Sequence, residues 1–233
     1  MKTHNNEHVS MDNYFAKNKK YCHAFFNRAA AKGKKAIIDK YGHEKGLRIL
    51  EQVRQEYDNL LSQTPYVGKI DLLKRQMLLT VLFAAIYRVL KENETIEDIW
   101  ELCRNFNKET LMGMPSLVRW LLKQSTFSKR MKNSFKKMAD EHKQNKLADQ
   151  WEYVEGDGKT FDYGMNMTSC AKVMFLEKIG AATFAPYVCL IDKNFAECCN
   201  YGLKRSMVLA EGADHCDFRL SKNGPVDVAS AVG

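Results

Sequence analysis

Thiols, carboxylates and one arginine recur through the last third of the chain, in three runs: Asp162 to Cys170, Cys189 to Asp192, and Ala210 to Arg219. Cys170 follows Thr168 and Ser169, either of which can cap a helix running to about Ile179. A thiol in the first turn of a helix sits among unpaired N–H groups and the positive end of the dipole. Its pKa is then expected to fall from about 8.5, giving a nucleophilic thiolate; a small residue packing the helix start is the alternative. Asn166 and Thr168 add polar groups just upstream. Cys189 and Asp192 stand three apart on the next expected helix and so share a face. They suit a carboxylate orienting a cationic substrate beside a thiol, a pair of metal ligands, or an amphipathic helix whose Asp faces water. Strand alternation puts Cys216 with Phe218 and Leu220, which reads as core, and His215 with Asp217 and Arg219 on the opposite face. Asp217 and Arg219 there either pair in solvent or line a pocket, and Glu211 falls at the turn, where exposure is expected.

The elements that must position these groups fall into two regions. Helical periodicity runs from Met11 to about Lys146, with apolar residues at spacings of three and four such as Leu47, Leu50, Val53 and Tyr57. The segment from Asp71 to Asn93 is apolar nearly all round, so it is the central helix of a bundle. Thr95, with Asp98 three positions on, reads as a helix cap. Near Asp149 the pattern changes. Trp151–Val154 and Thr160–Tyr163 alternate about Gly156-Asp157-Gly158, as a hairpin does. A helix from Pro186 to about Cys199 and a second hairpin, Leu203–Ala210 with His215–Ser221, complete the pattern; the tail beyond Lys222 is weakly patterned. The expected fold is α+β, with a helical bundle (1–148) packed on an antiparallel sheet of about four strands with two helices (149–233).

Composition and motifs narrow the function. Dinucleotide, P-loop, zincin and serine-hydrolase signatures are all missing. Seven cysteines form no C-x-x-C pair and no strong zinc spacing, so free thiols with neither metal nor cofactor are expected. The longest apolar run, Met77–Ile86, falls short of the roughly 20 residues that span a bilayer. The first eight residues lack a signal-peptide core, which makes a cytoplasmic location the default. Residues 1–150 hold 28 Lys/Arg against 17 Asp/Glu, and Arg119 to Lys146 is the most basic stretch. Without a groove-reading motif, that stretch reads as a solvated helix face or a positive field for an anionic substrate, not a nucleic-acid groove. A small molecule is the expected partner, a membrane is not, and a homo-oligomer is compatible with the composition.

From Trp151 to Leu220 the chain resembles the L-2-amino-thiazoline-4-carboxylate hydrolase family. The landmarks are Asn166, Cys170, Ala185-Pro186-Tyr187-Val188-Cys189-Leu190-Ile191-Asp192, Arg205, Ala210-Glu211-Gly212 and Cys216-Asp217-Phe218-Arg219. The resemblance implies opening of a cyclic amidine-like ring to a carbamoyl product such as N-carbamoyl-cysteine. Joined to the residues, it gives an expected mechanism: Asp192 or Asp217 stabilises the protonated amidine, and Cys170, or water activated by Glu211 or Asp192, attacks it. Arg219 or Arg205 then holds the substrate carboxylate, with Asn166, Thr168, Cys189 and Cys216 as further substrate contacts. More distantly the region is similar to the vinyl-reductase-type ligand-binding fold of phenol sensors and TRAPP subunits, some of which hold zinc. Cys189 and Cys216 match two of those thiols, but Val208 and Arg205 stand at two other ligand positions, which argues against zinc. The alternative function is a non-catalytic small-molecule-binding module.

Overall fold

The computed structural model describes residues 13–68, 70–230 and 232, so the polar stretch 1–10 lies outside the described residues. The helical part comprises α1 (Tyr14–Lys17), α2 (Lys19–Tyr41), α3 (His43–Leu61), α4 (Asp71–Leu90), α5 (Ile96–Met112), α6 (Ser116–Thr126) and α7 (Lys129–Gln144). Then follow β1 (Gln150–Glu155), β2 (Tyr163–Ser169), α8 (Ala171–Lys178), α9 (Ala185–Cys189), α10 (Ile191–Cys199), β3 (Gly202–Arg205), β4 (Cys216–Ser221) and β5 (Val226–Val228). The α+β class expected from the pattern is the class found.

Helix α4 is central because it is apolar on every side. Met77, Leu78, Val81, Phe83 and Ala84 are all sealed, and α2, α3, α5 and α8 pack around it. Burying a side chain the size of Phe83 contributes roughly 1.5–3 kcal/mol. The Thr95 hydroxyl accepts the Asp98 N–H at 3.1 Å, so the expected cap on α5 is present. One apolar core runs from Phe26, Tyr57 and Phe83 through Trp100 into Phe175, Phe184 and Tyr187. The change of character near residue 149 is therefore a change of secondary structure within continuous packing. Among the described residues, no helix is long and apolar enough to cross a membrane.

The sheet has the order β1-β2-β4-β3-β5. Its first three pairings are antiparallel, but β5 joins β3 in parallel, with Leu203 opposite Val226. This corrects the expected four-stranded antiparallel sheet: the weakly patterned tail supplies a fifth, edge strand. The first hairpin is also displaced, since β2 begins at Tyr163, not Thr160. Asp157 is the cause, because its carboxylate accepts the N–H groups of Lys159 and Thr160 at 2.9 and 2.7 Å and turns 157–160 into a loop. Gly156 permits that loop to close, as any Cβ there would lie 2.2 Å from the Asp162 carbonyl oxygen.

Period-two alternation divides the sheet into two faces. Trp151, Met165, Met167, Cys216, Phe218 and Leu203 point inward, toward α7 and α10. On the outer face Asn166 lies opposite Asp217, and Gly164 opposite Arg219. Strand β3 ends at Arg205, short of the expected Ala210, because Asp217 captures the backbone beyond it. Its carboxylate accepts the N–H groups of Ser206 (2.7 Å) and Met207 (2.6 Å) and the Ser206 hydroxyl (2.6 Å).

Burial alone would raise the Asp217 pKa, but these donors outweigh it and hold the carboxyl below the usual carboxylate range. Its stabilisation is thus complete above about pH 4 and is lost as pH falls through the lowered folded-state pKa. Asp217→Ala is expected to cost about 2 kcal/mol in urea unfolding at pH 7 and to flatten the loss of stability below about pH 4. A variant as stable as the parent at pH 7 would contradict this.

Candidate active site

A cavity of about 580 Å³ lies between the inner face of the sheet and the helices, lined by residues from α2, α4, α5, α7, α8 and α10. Its polar end is built by two interruptions of regular structure. The first is at Leu190, where α9 stops and α10 begins, correcting the single helix expected from Pro186 to Cys199. A helix end leaves backbone carbonyls without intrahelical partners. The Cys189 carbonyl accepts instead from Nη1 of Arg205 at 3.0 Å. The second is the end of β3 at Arg205, whose side chain enters the cavity wall from the inner face.

Arg205 is 1 % exposed and its guanidinium stacks over the Phe218 ring at 5.3 Å. Besides the Cys189 carbonyl, Nη1 reaches an oxygen of Asp192 at 3.5 Å. Nε and Nη2 have no hydrogen-bond partner among the described residues. These two N–H groups form the edge of a guanidinium that takes a carboxylate through two parallel bonds. A buried charge left half-paired costs several kcal/mol. An anion on that edge is the natural complement.

Helix α8 brings Cys170 and Lys172 to the same cavity. Cys170 is itself the residue before the first helical one, and neither Thr168 nor Ser169 caps the helix. The Ser169 hydroxyl donates to the Ala148 carbonyl (2.8 Å), while the cap comes from Asp149, whose carboxylate accepts the Ala171 N–H at 2.8 Å. Burial raises the Asp149 pKa, only partly opposed by that N–H and by Lys172 and His142. For Lys172, burial works to lower the pKa, but the negative charge of Asp192 and its neighbours outweighs it, so the ammonium stays charged.

The thiols behave contrary to the expectation from helix position. Burial pushes Cys170 up to about 11, more than Lys172 and the first-turn N–H groups pull it down. Cys189, beside Cys170, is pushed up to about 12, again mainly by burial. Cys216 is raised as well; the Leu209 N–H, 3.2 Å from its sulfur, opposes the shift. At neutral pH all three are thiols. Desolvation has beaten the helix dipole.

Of the residues singled out in the sequence, Cys170, Cys189, Asp192, Arg205 and Cys216 line this one cavity. Asn166, Thr168, Glu211, Asp217 and Arg219 do not. Asn166 and Arg219 bond each other at 2.9 Å on the outer face, and Asp217 locks the loop after β3. Thr168 is exposed, with its hydroxyl 3.4 Å from the Gln150 carbonyl, and Glu211 is exposed in the turn Leu209–Glu211, where the Ser230 hydroxyl reaches it at 3.3 Å. The expectation that Asp217 or Glu211 joins Cys170 is corrected by sheet alternation and by the turn. Lys172 and Asp149 also line the cavity, and neither carries a signal in the sequence. Lys172 stands two residues after Cys170, and nothing marks it off from any helix lysine; Asp149 is visible only as the boundary of the helical part. Among the described residues no three His, Cys, Asp or Glu side chains are grouped to hold a metal ion.

The arrangement defines an α+β protein with a pocket between sheet and helices, whose wall contains a buried, incompletely paired arginine. A family model described as L-2-amino-thiazoline-4-carboxylic acid hydrolase matches residues 74–220, which take in α4 to β4 and most of the cavity wall. The chain belongs to that family. No curated protein and no solved structure matches it.

A pKa of about 11 leaves on the order of one Cys170 in three thousand as thiolate at pH 7.5. Iodoacetamide labelling of Cys170, followed by mass spectrometry, is expected to rise about tenfold per pH unit from 7 to 10 without a plateau. A plateau near pH 8.5 would show an ordinary thiol.

Proposed function

We propose that the protein hydrolyses a cyclic amidine bearing a carboxylate, of the 2-amino-thiazoline-4-carboxylate type, to a carbamoyl product. The observation that carries this reading is the unpartnered Nε/Nη2 edge of buried Arg205, in the wall of the cavity that Cys170, Asp192 and Asp149 also line. The substrate carboxylate completes the guanidinium's bonding, and the ring then lies against Asp192. Asp192 favours the protonated, more electrophilic amidine by charge. Water adds to the carbon between sulfur and nitrogen, losing its proton to Asp149, whose raised pKa suits it as a base. The carbon–sulfur bond breaks, and the sulfur leaves with the electron pair beside the Lys172 ammonium. Proton return from Asp149 gives the thiol, and the carbon, once its hydroxyl proton is lost to bulk water, is left as a urea. The neutral thiols favour this route over covalent attack by Cys170.

The product carries a new thiol, so turnover can be read with a thiol-detecting disulfide reagent. Arg205→Lys is expected to raise KM for the carboxylate substrate at least tenfold, because lysine cannot offer two parallel donors. Asp149→Asn keeps an oxygen to cap α8 and is expected to lower kcat by about 100-fold or more. Cys170→Ser should keep most of the activity; its inactivation would move the nucleophile to the thiol. Thiazoline carboxylate that binds but releases no thiol would favour the second reading, a non-catalytic binding module, which the raised thiol pKa values also support.

A further inference from the structure

The polar groups of the site occupy one end of a space far larger than a single small ring. At about 580 Å³ the cavity falls in the range that encloses drug-sized ligands. Away from Arg205 its wall is largely apolar, with Phe25 from α2, Leu73 and Leu79 from α4, Phe106 from α5 and Phe135 from α7. Four methionines, Met114, Met131, Met165 and Met167, also line it. Unbranched, polarisable side chains of this kind re-pack around apolar groups of varied shape. The exposed Arg28, Lys32 and Leu72 belong to the same lining, so the cavity opens between α2 and α4 beside two cations that draw anions toward it.

Resting on the hydrolase reading above, we propose that the ligand is an amphipathic anion: a cyclic amidine carboxylate carrying a bulky alkyl or aryl substituent. The carboxylate seats on Arg205, and the substituent fills the space among α2, α4, α5 and the inner face of the sheet. A bare ring satisfies only the polar end and leaves the apolar walls facing poorly held water. A substituent that displaces this water gains affinity.

The test is isothermal titration of the full chain with 2-amino-thiazoline-4-carboxylate and with derivatives substituted at the exocyclic nitrogen or at ring carbon 5 by butyl, octyl or phenyl groups. In at least one series Kd should fall about fourfold per buried methylene, equivalent to about 0.8 kcal/mol. The octyl or phenyl member should bind at least 100-fold more tightly than the parent ring, with a more negative heat capacity of binding. Arg205→Lys should weaken every member by a similar factor. Parent ring bound, with no derivative bound better, would overturn this inference and leave the hydrolase reading standing. Derivatives that tighten independently of Arg205 would show adsorption elsewhere, for instance on exposed Leu117, Trp120 and Leu121 of α6, and would overturn it too. Failure of every member to bind would remove both readings.

Discussion

The guanidinium of Arg205 is enclosed beneath the sheet, in the wall of a cavity, with one nitrogen bonded to protein and the other two, Nε and Nη2, buried without a hydrogen-bond partner among the described residues. Sealing a charge away from water is expensive, and it is tolerated only where hydrogen bonds and an opposite charge compensate. Here the compensation is partial and local. The helix break at Leu190 offers the Cys189 carbonyl, and Asp192 one turn on offers a carboxylate at 3.5 Å. Arg205 is the last residue of β3, and Asp217 bonds the next two backbone N–H groups. A residue on the outer face of the sheet thereby fixes where an inner-face cation stands.

The same enclosure decides which chemistry the neighbouring groups can support. A low-dielectric site strengthens the attraction between Arg205 and an anion, and it penalises every unpaired negative charge. Thiolates are the first to suffer, so Cys170 and Cys189 are held as thiols despite a helix start and a lysine nearby. Asp149 is affected in the same direction, but a carboxyl raised from the acid range moves toward neutrality, where a base is useful. Lys172 stays charged because the carboxylates around the cavity need a counter-ion. Burial thus keeps the sulfurs protonated while it moves Asp149 toward the range of a base.

Much of the architecture was legible from periodicity. The all-round apolar pattern of 71–93 marked α4, Thr95 and Asp98 marked the α5 cap, and the helix ends expected at about Ile179 and Cys199 are found within a residue, followed by Gly180 and Asn200 in the left-handed region. Alternation also separated Cys216, Phe218 and Leu220 from Asp217 and Arg219 correctly. The sequence could not say which of those two faces borders the cavity, since that depends on where α7 and α10 pack. Asp217 and Arg219 therefore looked available for chemistry when they are structural. The parallel pairing of β5 was hidden because three residues, Val226 to Val228, carry too little pattern to announce a strand. Lys172 and Asp149 were hidden for another reason: their partners are set by tertiary distance, and single charged residues leave no spacing signal. Family resemblance located Arg205, while its unpartnered edge is a property of the folded chain alone.

The most direct measurement is a crystal structure of the protein with 2-amino-thiazoline-4-carboxylate bound. Both carboxylate oxygens are expected within hydrogen-bonding distance of Nε and Nη2 of Arg205, with the ring beside Cys170 and Asp192. Finding those two nitrogens bonded to protein groups, with the ligand outside the cavity, would contradict it.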